Sequence, residues 1–175
     1  MPMTRPDPDR FQSLLREHQG IVLKVAAIYA PHAEDRRDLA QEIGLQAWRS
    51  FGRYDPARAK FSTWLYRVAL NVAISHLRRG EAVQGAKLEP LDVHHLETVA
   101  GEPAPEPDER LAALQAFIGQ LDPLNRALIL LYLDERPYAE IAEILGISET
   151  NVATKIGRIK QTLRGRMTAA IPTGA

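Results

Sequence analysis

Thr150, Asn151, Thr154, Lys155, Arg158 and Gln161 are hydroxyls, amides and cations that recur at helical intervals. Side chains of these types donate hydrogen bonds to phosphates and to the edges of nucleic-acid bases. A second set lies upstream, in FSTWLYRVALNVAISHLRR, residues 61–79. At about 100° per residue, Trp64, Arg67, Asn71, Ser75 and Arg78 fall on one narrow arc. Leu65, Val68, Ala69, Leu70, Val72, Ala73, Ile74 and Leu77 cover most of the remaining circumference. A helix that is apolar almost all round is normally buried. An arc of an aromatic, two arginines and an amide on such a helix calls for a partner. The alternative for Trp64 is a place in the core, where Trp commonly sits.

The elements that must carry these faces are all helical. Residues 138–164, YAEIAEILGISETNVATKIGRIKQTLR, fit a helix-turn-helix. Ile141, Ala142 and Leu145 supply the inner face of a short first helix. Gly146 suits the left-handed position that ends it, and Ser148 suits the N-cap of the next helix. Val152, Ile156, Ile159 and Leu163 form that helix's buried seam. An ordinary helical hairpin with a basic outer face would share the same pattern. Helices are also expected at about 108–119 and 123–133, with Pro123 and Pro137 in first-turn or pre-helix positions. In the first half, one helix is expected from Phe11 to about Ala30, ended by Pro31. Another runs from Asp35 to about Phe51, on Leu39, Ile43, Ala47 and Phe51. A turn follows at Tyr54-Asp55-Pro56, and then the helix of residues 61–79, with Ser62 as its N-cap. No strand alternation is visible.

Between the helical blocks, residues 80–108 contain seven acids, one Lys and repeated Gly and Pro. This stretch reads as a linker, reaching about 95 Å if fully extended at about 3.3 Å per residue. The expected organisation is a first domain at 1–79, a linker at 80–108, a second domain at 109–168 and a tail at 169–175. The chain of 175 residues is neutral overall, with 22 basic and 22 acidic residues. The charge is unevenly spread: residues 1–79 hold 13 Lys/Arg against 8 Asp/Glu, and residues 150–166 hold five cations and no acid. Basic patches on folded elements suit a polyanion partner, although one patch alone equally suits solubility. The absence of Cys excludes a disulfide framework and thiolate metal sites. The polar N-terminus is unlike a signal peptide, and no apolar run reaches the roughly 18 residues that span a bilayer. The expectation is a cytoplasmic protein with no cofactor, no metal and no membrane insertion. Glu34, Asp35, Asp38 and Glu42 lack the further ligands a metal nuclease needs, and no nucleophile–base pair is apparent. His94-His95 also stands without nearby ligands.

Residues 38–79, DLAQEIGLQAWRSFGRYDPARAKFSTWLYRVALNVAISHLRR, resemble region 2 of bacterial RNA polymerase sigma factors of the extracytoplasmic-function group. Residues 110–166 resemble region 4 of the same group. The order region 2, linker, region 4 is that group's architecture. The resemblance implies an all-α, non-enzymatic initiation factor that binds core RNA polymerase, directs it to promoters and helps melt them. A stand-alone helix-turn-helix regulator is the alternative, and it would leave the first block unexplained. The resemblance implies polymerase docking through Asp38, Gln41, Glu42, Gln46 and Trp48; a solvated helix face is the plainer reading of the same residues. It implies contact with the minus-ten element, including unpaired bases of the non-template strand, through Arg53, Tyr54, Arg58, Lys60, Trp64, Arg67, Asn71, Arg78 and Arg79. Single strands are held by stacking and a basic groove. It implies minus-thirty-five duplex contacts through Ser148, Thr150, Asn151, Thr154, Lys155, Arg158 and Gln161. Leu65, Val68 and Val72 are then expected to face the core. An anti-sigma factor is an implied partner, and the acidic linker is either a mimic of RNA in a basic channel or a simple tether. Leu70, Ser75 and Gly157 depart from the family's usual residues, which bears on promoter sequence and not on the resemblance itself.

Overall fold

The computed structural model describes residues 5–84 and 109–170. The linker from residue 85 onward, with His94 and His95, lies outside the described residues. Among the described residues every regular element is a helix, without a strand. None of these helices is long and apolar enough to cross a membrane.

The first unit begins with α1 (Pro8–Glu17). Asp7 caps it by accepting from the Asp9 N–H at 3.0 Å, and Pro8 occupies the first turn, where its missing N–H costs nothing. The expected continuous helix from Phe11 to Ala30 is broken at His18, and α2 (Gln19–Tyr29) starts afresh. The reason is tertiary. The break lets Phe11 pack on Trp48 and Phe51, at ring distances of 5.3 and 5.1 Å. The His18 ring settles 5.0 Å from that of Phe61, with Nδ1 2.9 Å from the Leu14 carbonyl. Helix α2 is apolar on nearly every side and buries Ile21, Val22, Val25, Ala26 and Tyr29. It packs between α3 (Ala33–Ser50) and α4 (Phe61–Gln84). A single 3-10 turn, Phe51–Arg53, leads out of α3.

Helix α4 departs from expectation in three ways. It continues past residue 79 to Gln84. Ser62 does not cap it: the first turn closes from Trp64 N–H to the Lys60 carbonyl, and Ser62 is 8% exposed inside the helix. Leu65 is fully buried, as are Tyr66, Ala69 and Ala73, but Val68 and Val72 are only half-buried. The buried stripe is rotated because Tyr66 takes a core place beneath the second unit.

The second unit comprises α5 (Glu109–Gln120), α6 (Pro123–Leu133), α7 (Tyr138–Leu145) and α8 (Glu149–Ala170). Asp122 caps α6 through the Asn125 N–H at 2.8 Å, with Pro123 following. Gly146 sits at φ 69°, ψ 32°, and the N–H groups of Gly146 and Ile147 both bond the Ala142 carbonyl. Ser148 Oγ accepts from the Asn151 N–H at 3.1 Å, capping α8. Inside α7 the fully committed side chains are Ile141 and Ile144, whereas Ala142 and Leu145 are half-buried. Val152, Ile156 and Ile159 form the buried seam of α8, and Leu163 is half-buried.

The two units pack on each other. Helices α5 and α6 lie against α2, and α6 and α7 lie against α4. Tyr29, almost fully buried in the first unit, donates its hydroxyl to the Pro123 carbonyl at 2.7 Å. Burial pushes the Tyr29 hydroxyl well above its ordinary pKa, ahead of the opposing effect of Arg126.

Candidate nucleic-acid interface

The turn between α7 and α8 sets the angle of the second polar face. The left-handed Gly146 stops α7, Ser148 restarts the chain as α8, and the apolar seam holds α8 against α6 and α7. The opposite side of α8 then points outward. Ser148, Thr150, Asn151, Thr154, Arg158 and Gln161 are exposed and Lys155 is half-buried. The side chains of Thr150, Asn151, Thr154, Lys155, Arg158 and Gln161 have no hydrogen-bond or ion-pair partner among the described residues. Hydroxyls, amides and a guanidinium displayed along one helix face can form bidentate bonds to base edges in a major groove.

The face of α4 is built differently. Arg67, Asn71, Ser75 and Arg78 are all exposed, on the arc opposite the buried stripe. Arg67 Nη2 donates to the Glu143 carbonyl of α7 at 2.8 Å, and Arg79 Nη2 lies 2.7 Å from Glu42 of α3. His76 Nδ1 stands 3.5 Å from the other oxygen of Glu42. Asn71, Ser75 and Arg79 line one wall of a groove of about 450 Å³, with Val68 and Val72. The opposite wall is Glu42, Leu45, Gln46, Arg49 and Ser50 of α3. Val68 and Val72 therefore pack against the core with one side and form the apolar floor of an open groove with the other. Two of the residues expected to meet polymerase, Glu42 and Gln46, share this groove with two expected to meet DNA, Asn71 and Arg79.

The remaining α3 residues divide. Asp38 and Gln41 are exposed. Trp48 is half-buried against Phe11, so part of its surface is spent on packing. Leu45 was missing from the sequence expectation and is 50% exposed in the middle of this polar arc. The signal was present in the sequence: a lone leucine, four residues from Gln41 and three from Glu42, that the Leu39–Ile43–Ala47 stripe does not need.

The loop before α4 carries Arg53, Arg58 and Lys60, all exposed. Asp55 organises it by accepting from the Ala57 N–H at 2.9 Å, and its carboxylate lies 3.8 Å from Arg58. Tyr54 donates to the Ala59 carbonyl at 3.1 Å. The half-buried rings of Tyr54 and Trp64 stand 5.2 Å apart, above Phe51 and Phe61. Trp64 is thus packed against the core on one side and open on the other. Paired half-buried rings beside three cations suit stacking of unpaired bases.

A polar cluster absent from the sequence expectation joins the two units. Asp134, in the turn between α6 and α7, accepts from Lys24 Nζ at 2.6 Å, Tyr66 Oη at 2.5 Å and Arg136 Nε at 3.0 Å. Arg136 Nη1 also reaches Ser62 Oγ at 3.3 Å and Glu140 at 3.1 Å. Glu140 accepts from Thr63 at 2.9 Å. Burial pushes the Asp134 carboxyl up, but hydrogen bonds from Lys24, Tyr66 and Arg136 outweigh it and hold the group below its ordinary value. Burial, then the bond to Asp134, raises the Tyr66 hydroxyl. Burial alone would lower Arg136, but its bond to Asp134 and the charge of Glu140 raise it.

Comparison with known proteins places these faces in context. A family model described as Sigma-70 region 2 matches residues 14–82, and one described as Sigma-70, region 4 matches residues 111–163. The chain is 31% identical over 159 residues to the ECF RNA polymerase sigma factor SigE of Mycolicibacterium smegmatis, covering 88% of this chain and 60% of that relative. It is 29% identical over 171 residues to the ECF RNA polymerase sigma factor SigW of Bacillus subtilis, covering 92% and 90%. Over 168 residues it is 31% identical to the ECF RNA polymerase sigma factor SigM of Mycobacterium tuberculosis, covering 94% and 80%. Among solved structures, the sigma factor RpoE of Bartonella quintana, crystallised with the anti-sigma factor NepR, shares the fold with a TM-score of 0.70. That match has 18% identity and covers 91% of this chain and 97% of that one. CnrH, solved in complex with the cytosolic domain of CnrY, gives 0.67 at 24% identity, covering 93% and 90%.

Proposed function

Since this chain belongs to the sigma-70 family, as an RNA polymerase sigma factor of the extracytoplasmic-function type acting in promoter-directed transcription initiation, we propose a division of labour among its helices. The first unit docks on core polymerase through the exposed arc of α3, with Asp38, Gln41, Glu42, Leu45 and Gln46. The loop residues Arg53, Tyr54, Arg58 and Lys60, with Trp64, Arg67, Asn71, Arg78 and Arg79 of α4, engage the minus-ten element and hold its unpaired non-template bases. The second unit reads the minus-thirty-five element through Ser148, Thr150, Asn151, Thr154, Lys155, Arg158 and Gln161. Binding alone carries this function, with stacking and phosphate neutralisation helping to hold the melted strand.

The observation that supports this reading most is the outward face of α8, whose base-reading side chains make no hydrogen bond or ion pair within the described chain. One structural neighbour was solved with the anti-sigma factor NepR bound, the other with the cytosolic domain of CnrY. By extension, an anti-sigma factor that occludes these faces is a partner of this chain, and the cytoplasm is where it works. A native gel shift with a promoter fragment tests the reading. The chain alone is expected to bind weakly, and addition of core polymerase is expected to produce a stable, melted complex. Equal affinity for duplex promoter with and without core polymerase would contradict it and favour a stand-alone regulator.

A further inference from the structure

Arg10 precedes Phe11, the buried side chain that fixes α1 to the first unit. The Phe11 ring lies 5.1 Å from that of Phe51, and Phe51 stacks on Tyr54 at 6.0 Å with 19° between the planes. Tyr54 in turn meets Trp64 at 5.2 Å. The paired half-buried rings thus stand on the same aromatic layer that anchors α1. Arg10 itself is exposed, and its side chain has no hydrogen-bond or ion-pair partner among the described residues. Its charge reaches the loop before α4: burial raises the Tyr54 hydroxyl, and the Arg10 guanidinium opposes that rise.

The nearby acids are otherwise employed. Asp7 caps α1 through the Asp9 N–H. Asp9 lines a separate shallow groove with Gln12, Ser13, Arg16 and Glu17, which Arg10 does not share. Asp55 also acts on Tyr54, but its carboxylate holds the Ala57 N–H and lies beside Arg58. A base stacked on an aromatic ring brings its phosphates with it, and a cation beside the ring neutralises them. The loop supplies the exposed Arg53, Arg58 and Lys60. Helix α1 supplies a further cation from a different element. A guanidinium offers paired N–H groups that match phosphate oxygens, and Arg10 gives up no internal bond to use them.

We propose that Arg10 is a further binding residue for the unpaired minus-ten strand, taking a backbone phosphate next to the base held on Tyr54 and Trp64. It lies ahead of residues 14–82, which the region 2 family model matches. The contact rests on the assignment of Tyr54 and Trp64 to that strand and extends the site onto α1. As a phosphate contact it adds affinity for the strand and no preference among bases.

The test uses the full chain with core polymerase and a promoter probe whose minus-ten segment is unpaired. Arg10→Ala is expected to weaken probe binding by about tenfold, the scale of one hydrogen bond to a charged group, and Arg10→Glu by more. Arg10→Lys should restore most of the loss. The slope of log affinity against log salt should become shallower by about 0.7, as for one single-strand phosphate. Affinity for core polymerase and the melting temperature should stay at the parent values. Probes carrying one neutral methylphosphonate linkage each locate the contact: one linkage should weaken the parent chain as much as Arg10→Ala does, and weaken Arg10→Ala no further. Additive losses at every linkage, or an unchanged salt slope, would overturn the contact. A fall in core-polymerase affinity would overturn it too, by placing Arg10 against polymerase. Lys60→Ala and Asn71→Ala report on the reading beneath it. If these two weaken probe binding and Arg10→Ala does not, the Arg10 contact alone is overturned. If none of the three weakens it, the assignment of the unpaired strand to α4 and its loop is overturned as well.

Discussion

The two units present their polar faces in opposite ways. In the second unit, α8 is a thin amphipathic helix: Val152, Ile156 and Ile159 face in, and the side chains of Thr150, Asn151, Thr154 and Arg158 face out with no partner among the described residues. In the first unit, α4 is a core helix with a narrow polar arc, and two of its cations are already engaged, Arg67 with α7 and Arg79 with Glu42. A face whose side chains are unpaired binds without first breaking anything. A face whose cations are engaged must exchange partners, so its binding is coupled to conformation. The second unit thus resembles a preformed reading head, and the first a conditional one.

The largest effects should come from the cores that hold the faces. Leu65→Ala and Ile156→Ala remove fully buried side chains, and each should cost about 2–5 kcal/mol in chemical denaturation. Val68→Ala, on the groove floor, should cost markedly less than Leu65→Ala. Equal losses at the two positions would mean that Val68 is core after all.

Next in size, Arg158→Ala should weaken binding to a minus-thirty-five duplex by about 1–3 kcal/mol if it reads a base. If it meets a phosphate, binding should fall for all sequences with a shallower salt dependence. Its melting temperature should not move, because the Arg158 side chain has no partner among the described residues to lose. Arg67→Ala should instead alter both promoter engagement and the packing of the units, which breaks the symmetry between the faces.

Smaller changes touch the backbone. Glu135→Gly relieves a left-handed conformation that costs an L-residue about 1–2 kcal/mol, offset by about 0.5–1 kcal/mol of extra chain entropy for Gly. The variant should be slightly more stable to heat. Gly157→Ala, an exposed position of α8 where an added Cβ meets nothing within 4 Å, should stabilise the second unit by up to about 1 kcal/mol.

The pH dependence of the packing follows from the joining cluster. The folded-state pKa of Asp134 is depressed, so its contribution is present above the ordinary carboxylate range and is lost as pH falls through the lowered value. That of Tyr66 is raised, so its contribution is complete below the ordinary tyrosine value of 10.0 and is lost at higher pH. Thermal stability should therefore hold across neutral pH and fall at both extremes, and Tyr66→Phe should remove part of the alkaline limb.

How far these features were legible depends on whether their causes are local. The α7–α8 turn was readable because Gly146 and Ser148 each act within one helical turn. The bounds of α6 and α7 follow from Pro123, Pro137 and the capping Asp122 in the same way. The break at His18 was not readable, since it serves a distant contact of Phe11 with Trp48 and Phe51. Ser62 looked like a cap because capping is local chemistry, yet its place is set by Arg136 of the other unit. The same holds for Val68 and Val72: periodicity places them on the apolar side, and only the packing of α3 decides which apolar positions are covered. The exposed arc Arg67, Asn71, Ser75 and Arg78 was legible from angle alone, but the partner of Arg67 was not.

The central claim is that Asn71, on the exposed arc of α4, serves promoter DNA and not the fold. Permanganate footprinting of unpaired thymines with core polymerase and Asn71→Ala, beside a thermal melt of the same variant, tests it most directly. Asn71 is exposed, so its removal should change stability by no more than about 0.5 kcal/mol. Thymine reactivity should drop by the equivalent of about 1–3 kcal/mol, the contribution of one held base. A variant that melts at a clearly lower temperature yet opens the promoter normally per folded molecule would contradict the account.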